Sequence, residues 1–182
     1  MTNDAQAVDD AQAVDALMRW AAENAAHLAW QRVDRQSIEF DVVAPYSVRL
    51  AAVSGTWRLE TVSGRGLRSS SLGDTEAPFD DVLESLRERL YSTATDEFDD
   101  ADRSGGQALA QVLRTSSDEQ HDRIWCARAA TLLAGHAIKD GYGLQARLRL
   151  EEAAALFAAA GDVESENRML QTLATLPELL RA

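Results

Sequence analysis

The chain is short of most things that announce a function. Among its 182 residues there is one cysteine, one lysine, three prolines and three histidines. A single cysteine, Cys126, excludes an internal disulfide framework and a cysteine-built zinc site. Its neighbours Ile124, Trp125 and Ala127 mark it as a small buried hydrophobe, and His121, five residues away, is off its helical face. No apolar run approaches the ~20 residues that span a bilayer. The longest such run, 153–160, is mostly alanine. The opening MTNDAQAVDD is acidic and lacks the basic-then-apolar build of a secretory signal, so a cytoplasmic location is expected. Positive charge is scarce as well: 18 basic residues face 30 acidic ones, a net charge of −12. Such a chain is poorly suited to clamping nucleic-acid phosphates or anionic membranes. Seventeen of its basic residues are arginine, and the lone Lys139 fits the codon usage of a GC-rich genome. No G-x-S-x-G and no cysteine–histidine pair is present. Gly64-Arg65-Gly66 neither opens a helix nor carries a lysine, so with Arg68 it reads as a small basic loop surface and not a phosphate cradle.

What the chain does have is apolar pattern, with 46% hydrophobic residues. Asp4–Asp9 and Asp10–Asp15 both read DAQAVD, a six-residue period that matches neither a helical repeat nor a solenoid unit. Residues 1–9 are therefore expected to be a disordered tail. Over 10–32, Val14, Leu17, Met18, Ala21, Ala25 and Leu28 fall on one helical face. Trp20 and Trp30, off that face, are expected to be partly buried against a neighbouring sheet. The period then changes to two. Ile38, Phe40 and Val42 form one alternating run, Val48, Leu50 and Ala52 a second, and Trp57, Leu59 and Thr61 a third. Ser54-Gly55 supplies a hairpin turn between the last two. Residues 64–71 read as loop. Pro78 then opens a helix striped by Phe79, Val82, Leu83, Leu86 and Leu90.

Residues 96–106 are an acidic linker; 96–102 hold five acids and no base. Beyond them the pattern is all helix. A short segment covers 106–114. Ser117-Asp118-Glu119-Gln120 has the capping-box form S-x-x-Q and should open a helix running to Lys139. Asp140-Gly141-Tyr142-Gly143 stops it, and helices over 144–160 and 163–175 follow, split by Gly161-Asp162. The fold class expected is α+β, mostly helical: a three-stranded antiparallel meander packed with helices over 10–95, then an antiparallel helical array over 107–182.

The stretch 150–177 resembles a tetratricopeptide-type helix pair. Leu150, Ala153-Ala154 and Phe157 match the spaced positions of its first helix, Gly161-Asp162 its turn, Leu170 and Leu173 its second helix, and Pro177 its terminal proline. Glu166 departs from the small residue at the close contact. The resemblance covers about one unit and implies protein or peptide binding. The order helix, three strands, helix also loosely resembles the α+β chaperones of type III secretion, which continue with strands where this chain turns to helices; it implies no more than a tendency to homodimerise.

Three functional readings follow. The leading one is a non-enzymatic protein–protein interaction module: an adaptor, a chaperone-like factor or a small subunit. It would use the C-terminal hairpins, with Tyr142, Arg147 and Phe157 as partner-binding residues. Asp99 and Asp100 of the linker would receive a basic partner. The second is a calcium-responsive helix–loop–helix protein. Asp100-Ala101-Asp102-Arg103-Ser104-Gly105 opens like an EF-hand loop, making Asp100, Asp102 and Ser104 the candidate metal ligands. Gln107 and Gln111 occupy the positions of the apolar anchor and the closing glutamate, so on balance no cofactor is expected. The third is an enzyme whose site gathers Glu39, Asp41, His121 and His136.

Overall fold

The computed structural model describes the chain except residues 1, 41, 43, 44, 64, 65, 99–103, 181 and 182, and except the side chains of 2–7 and 63. Two units, Met1–Leu90 and Tyr91–Ala182, divide it, the division falling inside the helix α2 (Phe79–Asp96). Each unit carries fifteen acids and nine bases, so neither accounts for the net charge alone. The class is α+β and mostly helical, with one antiparallel sheet and a helical array after it.

In the first unit, α1 (Thr2–Asn24) precedes a five-stranded meander in sequence order. Its strands are β1 (Trp30–Arg32), β2 (Ser37–Phe40), β3 (Ser47–Val53), β4 (Thr56–Ser63) and β5 (Gly66–Asp74). The helix begins inside the segment expected to be a tail, since DAQAVD is rich in alanine and holds no helix breaker. The buried apolar residues of α1 belong to the expected stripe: Val14, Leu17 and Ala21 have next to no exposure. They meet the inward residues of the sheet, Ile38, Leu50, Ala52 and Trp57, together with Val82 from α2. Trp20 and Trp30 pack on this cluster as expected, their rings tilted against Phe79 and Phe40 at 5.7 and 5.5 Å. On the other face the register aligns Glu39 with Arg49 and Arg49 with Glu60, an acid–base–acid row across three strands.

The turn between β3 and β4 fixes that register. Ser54 and Gly55 both take positive φ, 54° and 75°, in a two-residue loop closed by Val53 opposite Thr56. This is the twist-compatible hairpin turn that favours Gly or Asn, so Ser54 is strained there. Asp10 holds it: one carboxylate oxygen accepts from the Ser54 N–H and the other from the Gly55 N–H, each at 2.9 Å. Asp10 is only 3% exposed. The first residue of the second DAQAVD copy is thus a structural ligand of the hairpin.

Two strands escaped the hydrophobic pattern. β1 is only three residues long. β5, expected as loop, pairs with β4 from Gly66 to Asp74 with one extra residue opposite Trp57/Arg58. Its serines and Arg68 carry no apolar alternation. As an edge strand it takes its register from β4's backbone rather than from burial.

The second unit holds the end of α2, then α3 (Ser104–Thr115), α4 (Arg123–Lys139), α5 (Gly143–Ala160) and α6 (Val163–Leu179). α4 packs on α3, α5 on α4 and α6 on α5. The expected start of α4 at Ser117 is corrected to Arg123, with Asp122 at the cap position. The hydroxyls of Ser116 and Ser117 instead donate to the Leu113 carbonyl and finish α3. Gly141 and Gly161 end α4 and α5 in the left-handed conformation, φ 75° and 76°. Each is followed by the double backbone bond of a Schellman motif: Tyr142 N–H to Ala137 and Gly141 to Ile138, then Asp162 to Phe157 and Gly161 to Ala158. α6 continues past the expected end at 175, through Pro177, to Leu179.

Alanines set the helix spacing. Ala134, Ala137 and Ala146 pack around Leu150 and Leu176, and Ala127, Ala130 and Ala153 around Phe157. Lys139, the lone lysine, donates to the Phe98 carbonyl at 3.1 Å and lies 3.8 Å from the Phe98 ring centroid. That ring also covers Gly135, where a Cβ would sit 2.7 Å from it, and meets His136 edge-on at 5.1 Å. The start of the expected linker is therefore packed: Phe98 lies on α4 and Glu97 is buried. No helix among the described residues is long and apolar enough to cross a membrane.

Candidate functional site

A cleft lies in the second unit, where α3 and α5 flank α4. Gln107 and Gln111 stand one helical turn apart on α3. The stripe Gln145, Leu148, Arg149 and Glu152 follows the same face of α5. Leu133 and Ala137 of α4 form the floor, and the Asp140–Tyr142 link closes one end. These residues line a cleft of about 500 Å3. Its position follows from the Schellman turn at Gly141, which returns α5 along α4 and leaves Tyr142 standing 58% exposed at the rim. Leu148 is 55% exposed on the same rim.

The far end of the cleft is stiffened by charge. Glu152 accepts from Arg114 of α3 at 3.0 Å and from Arg149 at 2.7 Å. Arg114 also pairs with Glu119 and reaches the Cys126 sulfur at 3.4 Å. Burial works against the Arg114 charge, but Glu152, the Cys126 sulfur and Glu119 together hold its pKa above the ordinary value. One arginine thus ties α3, α4, α5 and the turn between α3 and α4. The cleft can offer amide donors and acceptors from three glutamines and an apolar rim.

The residues singled out from sequence are scattered across this picture. Tyr142 lines the cleft. Arg147 lies outside it, paired with Glu151 at 2.9 Å on the exposed face of α5, and that pairing raises its pKa. Phe157 is buried in the alanine cluster. Asp99, Asp100 and Asp102 lie outside the described residues; Ser104 is the first, exposed residue of α3. Among the described residues no group of three or more His, Cys, Asp and Glu could hold a metal ion. Of the four groups named for an enzyme, Asp41 is outside the described residues and Glu39 stands in the strand row opposite Arg49. His121 pairs with Asp118 at 3.1 Å in the exposed turn before α4, and His136 is buried near the other end of that helix, so the two histidines are not brought together. Gln107 and Gln111, which broke the calcium pattern in sequence, prove to be cleft residues. Their one-turn spacing was visible; that α5 would face them with Gln145 was not.

A second, smaller cleft lies where α4 meets α6. Asp162 caps α6 by accepting from the Ser165 N–H at 3.0 Å, and this bond is the main cause that holds its carboxyl below the usual range, with Arg168 and Arg128 adding to it. Comparison with protein-family models, with curated proteins and with solved structures gives no match to this chain.

Proposed function

We propose that the chain is a protein-interaction module that seats a segment of a partner protein in the cleft between α3 and α5. The observation that carries this reading is the rim itself: Tyr142 and Leu148, more than half exposed, stand beside three glutamines over an apolar floor. An extended segment could lay an apolar side chain between the two rim residues. The glutamine amides would meet its backbone, which is how a polar groove binds without reading many side chains. The acidity of the unit, fifteen acids against nine bases, favours a partner with a basic segment. The alanine-spaced helix pair α5–α6, similar in pattern to a tetratricopeptide unit, supports the same class of function.

Co-purification from the native host tests it. The wild-type chain retains a partner, Leu148→Asp loses it, and Leu67→Asp, an exposed position on β5 in the other unit, retains it. Retention by Leu148→Asp, or loss by both variants, contradicts docking in this cleft.

A further inference from the structure

We infer that the smaller cleft between α4 and α6 is a carboxylate-binding site, taking a monocarboxylate with a short apolar arm on the guanidinium of Arg128. This site is separate from the α3–α5 cleft and does not depend on the reading given to it. The cleft has a volume of about 250 Å3 and is lined by Tyr91, Arg128, Thr131, Phe157, Arg168 and Met169, with Asp162 and Ser165 at the start of α6.

Arg128 is the unusual member. Its guanidinium lies 4.5 Å from the Trp125 ring centroid and 5.7 Å from that of Tyr91. Among the described residues it makes no hydrogen bond and no ion pair. The other five described arginines of this unit each make one: Arg114, Arg123, Arg147, Arg149 and Arg168. Stacking on two rings fixes the guanidinium before a ligand arrives, so little side-chain freedom is lost on binding. It also leaves the in-plane fork of N–H donors, which matches a carboxylate in two-point contact. Across the cleft, Arg168 is held by Glu164 at 3.3 Å in a pair exposed on both sides, a bond weak enough to yield to a better acceptor. Phe157 and Met169 supply an apolar wall for the arm.

The charge balance selects the ligand class. Glu164 offsets Arg168, and Asp162 already stands in the cleft, tied to Ser165. With Asp162 already opposite Arg128, a ligand competes for that guanidinium, and a singly charged carboxylate does so at a smaller like-charge cost than a dianion. A phosphate dianion would bring a second negative charge against Asp162.

The test uses the full chain with N-acetyl-leucine, its neutral amide N-acetyl-leucinamide, the tripeptide N-acetyl-Ala-Ala-Leu with a free carboxylate, and inorganic phosphate, all at matched ionic strength. The Trp125 indole N–H and the Arg128 side-chain N–H are followed by NMR. N-acetyl-leucine should shift both signals saturably while the amide shifts neither, and phosphate should bind more weakly. Arg128→Gln should weaken binding about tenfold or more, and Arg128→Lys, which keeps charge and ring contact but not the fork, by several-fold. Arg147→Gln should change nothing. Tighter binding of the tripeptide identifies the end of a protein chain as the natural ligand; binding of the free acid alone identifies a small molecule. Equal shifts from the acid and the amide overturn the site, as does undiminished binding by folded Arg128→Gln and Arg128→Lys. Phosphate binding more tightly than the carboxylate overturns the assignment of ligand class.

Discussion

Replacing Asp10 with alanine should destabilise the first unit by about 2–4 kcal/mol. The magnitude follows from the two bonds the carboxylate accepts, from the N–H groups of Ser54 and Gly55, both at 2.9 Å. A hydrogen bond to a charged acceptor contributes about 1.5–3 kcal/mol. Ser54 is exposed and recovers most of its loss from water, whereas Gly55 is half-buried and recovers less. The Gln36 amide, 3.4 Å from the same carboxylate, adds a smaller amount. The strained Ser54 conformation then has nothing to hold it, so the hairpin register loosens with the turn. For a unit of this size the loss corresponds to a fall in Tm of roughly 10–20 °C. Urea unfolding followed by tryptophan fluorescence reads it, because Trp20, Trp30 and Trp57 all belong to this unit and Trp57 is fully buried. Asp10→Asn, which keeps the shape and one acceptor, should lose about half as much. The neighbouring, exposed Asp9→Ala should stay within about 0.5 kcal/mol. Ser54→Asn should be neutral to stabilising by about 0.5 kcal/mol, since asparagine accepts positive φ more readily. If Asp10→Ala proves no worse than Asp9→Ala, the claim that this carboxylate pins the hairpin is wrong.

Three further outcomes are expected. Gly135→Ala drives a methyl group to 2.7 Å from the Phe98 ring, so it should cost about 1–3 kcal/mol by thermal unfolding and increase hydrogen exchange around Phe98; an unchanged Tm would show that the ring moves freely. Glu152→Gln leaves Arg114 and Arg149 without their shared carboxylate and should cost about 1–3 kcal/mol, with a non-additive double-mutant cycle against Arg114→Met; strict additivity would refute the coupling. The third concerns acid. Asp162 has its pKa held below the ordinary 3.8, chiefly by the Ser165 N–H. A depressed carboxylate stabilises the fold fully above its unfolded value and loses that contribution as pH falls through the lower folded one. The Ser165 amide signal should therefore hold steady down to about pH 4 and shift below it, and Asp162→Asn should abolish that acid shift.

The parts of the fold legible in sequence were those where burial imposes a period. Val14, Leu17, Ala21, Ala25 and Leu28 of the expected stripe are all buried, and the alternating runs became β2, β3 and β4. β5 was invisible because an edge strand of serines is specified by its neighbour's backbone. Ser117 misled for a different reason: a hydroxyl that could cap the following helix was engaged by the preceding one. Asp10 gave no local signal at all, its partners lying 44 and 45 residues away. At the cleft, Tyr142 could be picked out as a large ring in the link that precedes the helix over 144–160. The glutamines could not, since their meaning lies in two helices facing each other across a third.

Docking in the α3–α5 cleft is tested most directly by hydrogen–deuterium exchange of the captured complex against the free chain. Protection on binding should concentrate in residues 107–111 and 142–152, and Leu148→Asp should remove both the complex and the protection. Protection confined to the exposed edge strand Gly66–Asp74, or spread evenly over the chain, would contradict the proposal.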